Sequence, residues 1–145
     1  MSSTVRFYPP TIELVSQASA GRIEQNNPAV SYTGNWYLNT NPLMSGGTAA
    51  LAMDPNSSVT VAFNGTGISW IGYQDQWSGI AAIYIDGKLQ APPQDTYAAL
   101  QRVQSSVYSI SGLSAGTHSL LIVVTGTHDV ASAGSWTWVD GSNVV

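Results

Sequence analysis

Cysteine is absent and charge is scarce: Asp, Glu, Lys and Arg make up 8% of the 145 residues, about a third of the ~25% usual in soluble domains. The first absence excludes a disulfide scaffold and thiolate metal sites, and leaves the compartment open. The second removes whole classes of partner. The four cations Arg6, Arg22, Lys88 and Arg102 are scattered and the net charge is -4. Phosphate backbones and anionic membranes therefore have no basic patch to hold, so neither nucleic acid nor membrane is expected as a partner. No apolar run approaches the length of a transmembrane helix, which argues against membrane insertion. The start Met1-Ser2-Ser3-Thr4 lacks the basic residues and apolar run of a signal peptide. An extracellular or surface location would thus need export encoded upstream or another route.

Helical periodicity is missing as well. Apolar residues alternate with period two, or run continuously for four to eight positions, and nowhere sustain the i, i+3, i+4, i+7 spacing of an amphipathic helix. This is an all-β signature. With 43% apolar residues and the length of one ordinary domain, the chain can bury a single core. Strands are expected near Thr48–Met53, Ser58–Phe63, Ile68–Tyr73, Ile80–Ile85, Arg102–Ile110, His118–Thr125 and Trp136–Asp140, preceded by short opening strands at Ile23–Gln25 and Val30–Tyr32. Residues 1–21, with Pro9-Pro10, read as an N-terminal extension, and 22–145 as one β-sandwich domain without internal repeats.

Successive antiparallel strands place their connections at alternate ends of a sandwich. One pole then collects the short Gly-bearing turns Asn64–Gly67, Asp86-Gly87 and Gly112–Gly116, as hairpins require. The other collects the long connections 73–79, 91–100 and 126–135, beside the short turn 54–57. Those long loops carry Tyr73, Gln74, Asp75, Gln76, Trp77, Gln94, Asp95, Tyr97, His128 and Asp129, with Trp136 at their rim.

No catalytic constellation stands out. The carboxylates Asp75, Asp95 and Asp129 share a pole, as a glycosidase pair would need to, but loop aspartates ordinarily cap their own turns. There is no Gly-x-Ser-x-Gly elbow, no His-x-x-x-His metal pair and no phosphate-cradling loop. No enzyme activity, cofactor or metal is expected from the motifs. His118, starting a strand beside a tight turn, reads as structural, and His128 as either a ligand contact or a solvated loop residue.

Aromatics carry the strongest signal. Five Trp and seven Tyr exceed what one core of this size absorbs, so some face solvent. Sugar rings present C–H faces that stack on indole and phenol rings, while Asn, Gln, Asp and His bond the hydroxyls. A protein partner would also favour Trp and Tyr. Trp77, in a loop between Gln76 and Ser78-Gly79, ranks first for ligand contact, followed by Tyr73, Gln74, Asp75, His128, Asp129 and Tyr97. Trp36 follows the turn Thr33–Asn35, where packing and ligand stacking are both open. Trp70 and Trp138 alternate within strands and read as core.

In Ser119–Val124 both faces of the strand are apolar, so something is expected to cover its outer side. The candidates are the extension residues Phe7, Tyr8, Ile12, Leu14 and Val15, or another subunit in a homo-oligomer.

The phrases Val30–Trp36, Ser45–Thr48, Phe63–Ile68, Ala82–Gly87, Gly112–His118 and Val124–Thr127, in this order and spacing, resemble the galactose-binding-domain-like β-sandwiches. These are the carbohydrate-binding-module type of accessory domain attached to secreted or surface polysaccharide-active proteins. The resemblance covers residues 22–145. It implies a jelly-roll of two antiparallel sheets, a polysaccharide or glycan bound through loops, and attachment to a larger protein. Such modules often hold a structural calcium near the first and last strands, where this chain offers Glu24 and Asp140 without a further acid in 141–144. The same sandwich also serves structural and adhesive proteins of virions and cell surfaces, which is the alternative function.

Overall fold

The computed structural model describes residues 2–4 and 17–145. Its strands are β1 (Ser2–Thr4), β2 (Gly21–Glu24), β3 (Val30–Thr33), β4 (Tyr37–Thr40), β5 (Thr48–Ala52), β6 (Ser58–Asn64), β7 (Ile68–Gln74), β8 (Ile80–Ile85), β9 (Lys88–Asp95), β10 (Arg102–Ile110), β11 (Thr117–Val124), β12 (Thr137–Val139) and β13 (Gly141–Val144). The only helical element among the described residues is one turn at Ser45–Gly47, so no helix there is long and apolar enough to cross a membrane. The all-β expectation holds, and the seven longer expected strands match to within a residue or two.

A five-stranded antiparallel sheet, β3-β6-β11-β8-β9, faces two four-stranded sheets, β1-β4-β5-β12 and β10-β7-β13-β2. These two are joined by the end of the chain. Residues 137–139 pair with β5, and after Asp140 residues 141–144 pair with β7 and β2. Period-two alternation decides what lies between the layers. Val59, Val61 and Phe63 of β6, Ala81, Ile83 and Ile85 of β8, and Leu120, Ile122 and Val124 of β11 point inward against Trp36, Ile68, Trp70, Val139 and Val144.

Four strands were not expected: β1, β4, β9 and β13. β9 contains Pro92 and Pro93, which suggested a loop over 91–100. Among the described residues it is nevertheless an edge strand paired only with β8, and an edge can leave N–H positions unpaired. The loop is therefore shorter than expected, and the pole assignment survives because β9 runs back along β8. β4 was hidden by its half-polar sequence.

The outer side of β11 has Leu121 opposite Thr60 and Tyr84, and Val123 opposite Ser58 and Ala82, all half-buried. Phe7, Tyr8, Ile12, Leu14 and Val15, named above as its cover, lie outside the described residues.

The pole with short turns contains one polar device. Asp86 and Gly87 both adopt positive φ, 51° and 81°, the conformation of a tight hairpin turn. The Asp86 carboxylate accepts the Ser119 amide at 2.9 Å and His118 Nδ1 at 2.6 Å, while His118 Nε2 lies 2.6 Å from the Ser114 carbonyl. Both partners of the ring are acceptors, so only the doubly protonated imidazolium satisfies both. The Ser114 carbonyl, then Asp86, raise the His118 pKa above its ordinary 6.5. The His118 hydrogen bond, then the Ser119 amide, hold Asp86 below its ordinary 3.8. A raised histidine contributes fully below its unfolded value and loses the contribution as pH rises through its folded value. A lowered carboxylate contributes above its unfolded value and loses that as pH falls. The pair therefore stabilises most between about pH 4 and 6.5. The melting temperature of the wild type minus that of His118→Gln should be largest in this window and shrink toward pH 9. A difference constant with pH would show that the histidine acts by packing alone.

Candidate functional site

The long connections meet at one pole because the backbone laces them together. Loop 74–79 is the central strip. On one side the Gly79 carbonyl accepts the Thr96 amide at 3.0 Å, and the Asp75 carbonyl accepts the Ala98 amide at 3.0 Å. Gln76 Nε2 reaches the Ala99 carbonyl at 3.2 Å on that side as well. On the other side Ala133 N donates to the Gln76 carbonyl at 2.8 Å, Trp136 N to the Trp77 carbonyl at 3.0 Å, and Gly79 N to the Trp136 carbonyl at 2.8 Å. Ser132 is buried between the loops, its hydroxyl 2.7 Å from the Ser78 carbonyl. These contacts fix loops that sequence alone leaves free.

The lacing leaves specific side chains in solvent. Trp77 is 52% exposed, and the loops laced to its own expose Leu100, 82%, and Val130, 98%. An indole held outward by a hydrogen-bonded turn is ordered before any ligand arrives, which lowers the entropic cost of binding. Asp75 Oδ1 makes that turn, accepting the Trp77 amide at 2.9 Å and the Ser78 hydroxyl at 3.0 Å.

The remaining expected residues separate into three groups. Tyr73 and Asp75 come together: the Tyr73 hydroxyl donates to Gln101 Oε1 at 3.0 Å. Partial burial raises the phenol pKa, and the charge and hydrogen bond of Asp75 add to the rise. Tyr97 joins them through a backbone bridge to Asp75. His128 and Asp129 touch their own loop: His128 Nδ1 donates to the Asp129 carbonyl at 2.7 Å, and Asp129 Oδ1 accepts the Ala131 amide at 2.8 Å. Asp95 does likewise with the Tyr97 amide at 3.0 Å. All three loop aspartates thus spend an oxygen on their own turns.

The third group corrects the sequence reading. Gln74 is buried, with Nε2 on the Thr96 carbonyl and Oε1 accepting from Ser105 Oγ at 2.6 Å. It ties β7 to its neighbours and is turned away from solvent. Trp36 is 0% exposed. Its indole donates to the Thr33 carbonyl at 2.9 Å, and its ring meets Tyr32 edge-on at 5.0 Å. The turn at Thr33–Asn35 folds the ring into the core. Conversely, Trp138 is half-buried and faces outward, because Thr137 and Val139 occupy the inward positions of β12. Its ring packs on Tyr73 at 4.6 Å, and Trp136 meets Tyr37 edge-on at 5.8 Å. The signal was the i, i+2 spacing of Trp136 and Trp138, with the phase of the alternation misread.

The two acids that the resemblance associates with calcium also meet. Asp140 is 0% exposed at the junction between β12 and β13. Its Oδ2 accepts the Ser45 amide at 3.0 Å, while the Ser45 hydroxyl donates to Glu24 Oε2 at 2.9 Å and receives Arg22 Nη1 at 2.8 Å. Burial raises the Asp140 pKa, the Ser45 amide opposes this, and the Glu24 charge adds to the rise. Glu24 Oε1 and Asp140 Oδ1 are buried with no hydrogen-bond partner among the described residues. Orphaned carboxylate oxygens fit a hard, oxygen-preferring cation. No group of three or more His, Asp or Glu is present among those residues, so the fit rests on this pair, and an ion there would neutralise charge at the sheet junction. Adding calcium should raise the melting temperature of the wild type and leave Asp140→Asn unmoved. Identical wild-type melts with calcium and with chelator would remove the cation from this site.

No protein-family model matches the chain. A curated relative, the A type blood alpha-D-galactosamine galactosaminidase of Flavonifractor plautii, is 32% identical over 101 residues, 70% of this chain. The chain spans only 9% of that relative. Among solved structures, a family 35 carbohydrate binding module from Clostridium thermocellum superposes with a TM-score of 0.58 at 14% identity, covering 83% of this chain and 95% of that one. A Paenibacillus xanthan lyase matches over 95% of this chain and 13% of its own, with a TM-score of 0.62 at 17% identity. The fold is the β-sandwich found in carbohydrate-binding modules and in the accessory regions of carbohydrate-active enzymes.

Proposed function

We propose that this chain is a non-catalytic carbohydrate-binding module that attaches a larger extracellular or surface-associated protein to a polysaccharide or glycan, through aromatic and polar residues at the long-loop pole. The observation that carries the reading is Trp77, half in solvent on a turn that the protein itself orders. On this reading Tyr73, Asp75, Tyr97, His128 and Asp129, at the same pole, offer hydroxyl, carboxylate and imidazole groups to sugar hydroxyls. Glycoside hydrolysis needs two carboxyl groups facing each other across the scissile bond. Asp75, Asp95 and Asp129 instead cap their own turns, which supports binding without chemistry. The match to a family 35 module over nearly its whole length supports the same reading.

The test is retention on a polysaccharide panel that includes galactosamine- and N-acetylgalactosamine-bearing glycans, since the curated relative is named for galactosamine. Trp77→Ala should lose retention on the glycan that holds the wild type. Its stability should shift by no more than about 0.5 kcal/mol, as for an exposed residue. Unchanged retention would remove Trp77 from the site.

A second reading, a structural or adhesive surface protein that oligomerises, is favoured by one observation: the half-buried apolar outer face around Leu121, Val123 and Tyr84. A stable oligomer indifferent to every glycan supports it, and a monomer retarded by one glycan supports the first.

A further inference from the structure

The five tryptophans divide sharply. Trp36 and Trp70 are 0% exposed, and each indole N–H donates to a backbone carbonyl, of Thr33 and of Trp138. This is how buried indoles are ordinarily satisfied. Trp77, Trp136 and Trp138 are half-buried or exposed, and their indole N–H groups have no partner among the described residues.

These three are also contiguous. Trp136 and Trp138 point the same way along one extended segment, about 6.6 Å apart at the strand rise. The backbone of Trp77 is bonded to that of Trp136, and a Cβ built on Gly134 would touch both Trp77 and Trp136. Tyr37 lies in the same cross-strand row as Leu51 and Trp138 and leans on Trp136, while Tyr73 leans on Trp138. Leu51 is buried in that row, so the outer surface is aromatic. Polar groups edge the row: the Tyr73–Gln101 pair, Asp75, and Asn39, two residues from Tyr37 on the same strand face.

We infer that recognition does not stop at the loop tip but runs along this strip, Trp77 to Trp136 to Trp138, and that the ligand is an extended saccharide bound along its chain over several sugar units. The inference rests on the carbohydrate-binding reading and specifies it. A ring of C–H groups stacks on each indole, and successive indoles at strand spacing accept successive units of one chain. The free indole N–H groups and the Gln101, Asp75 and Asn39 side chains meet the hydroxyls at the edges. A row laid on a sheet face is open along its length, whereas a chain end is gripped by a closed pocket.

The test uses the intact chain and xylo-, manno-, galacto- and isomalto-oligosaccharides of one to six units, read by calorimetry and by the indole N–H resonances. In the series that binds, affinity should rise about tenfold or more from one unit to four, the scale of one added aromatic contact. Resonances of Trp77, Trp136 and Trp138 should shift, and those of Trp36 and Trp70 should not. Trp138→Ala should weaken the four-unit ligand about tenfold and leave the one-unit ligand unchanged. Because the wild-type resonances report contact directly, a Trp138→Ala chain that fails to fold leaves the test intact. Binding that is equal for one and six units, or that moves Trp77 alone, would overturn the extended strip while the loop-tip reading stands. Resonances unmoved by every sugar would overturn both.

Discussion

Replacing Trp36 by alanine is expected to destabilise the protein by about 3 to 5 kcal/mol, the cost of a large aromatic removed from a core that cannot collapse around the space. Three observations set the size. The ring is fully buried, its indole N–H is spent on the Thr33 carbonyl, and its face is met by Tyr32. The lost contacts include the edge-on aromatic pair, and the Thr33 carbonyl is left without its donor. For a domain of this size the melting temperature should fall by on the order of 10 °C. Trp36→Phe should recover most of the packing but not the hydrogen bond, and should retain glycan binding at permissive temperature. A Trp36→Ala protein that melts like the wild type but no longer binds sugar would mean that the ring serves the ligand after all. Chemical denaturation followed by far-ultraviolet circular dichroism, with the polysaccharide retention assay alongside, separates the outcomes.

The second large effect is expected at Gly79. A Cβ there would lie 2.6 Å from the Cα and carbonyl carbon of Ser135, closer than any side chain tolerates. The neighbouring atoms are backbone, so they cannot rotate away. The same residue exchanges hydrogen bonds with both flanking loops, donating to Trp136 and accepting from Thr96. Gly79→Ala should therefore push loop 126–136 from its place, costing about 1 to 3 kcal/mol as an overpacked position. On the carbohydrate-binding reading, glycan affinity should fall as well, because Trp77, Trp136 and Trp138 lose their common alignment. Proton resonances of Trp136 and Ser132 should report the displacement without any ligand. Wild-type affinity in Gly79→Ala would show that the lacing of the loops is dispensable for recognition.

Much of the fold was legible because a sandwich is written in period-two alternation. β6, β8 and β11 each place every second residue in the core, and short glycine turns mark their ends. What stayed hidden has local causes. β9 carries two prolines that an edge position accommodates but a sequence pattern reads as a loop. The phase of Trp136-Thr137-Trp138-Val139 is set by tertiary context: Thr137 is buried although its hydroxyl finds no partner among the described residues, and two indoles face outward. Trp36 was ambiguous because a turn says where the chain bends and not which side chain follows it inward.

The candidate site divides along the same line. That the long loops share a pole follows from strand parity, which a sequence contains. That Gln74 points into the protein, and that Ser132 and Gln76 hold three loops together, depends on hydrogen bonds between residues far apart in the chain. No linear pattern records these.

Strand β13 has a bearing on aggregation. Among the described residues β13 is the only strand paired with β2, and it lies between β2 and β7. The sheet therefore holds residues 21–24 against residues 68–71 through residues 141–144, the strand farthest from β2 along the described chain. Removing residues 141–144 would leave β2 and β7 each with an unpaired strand edge, a template for aggregation or proteolysis.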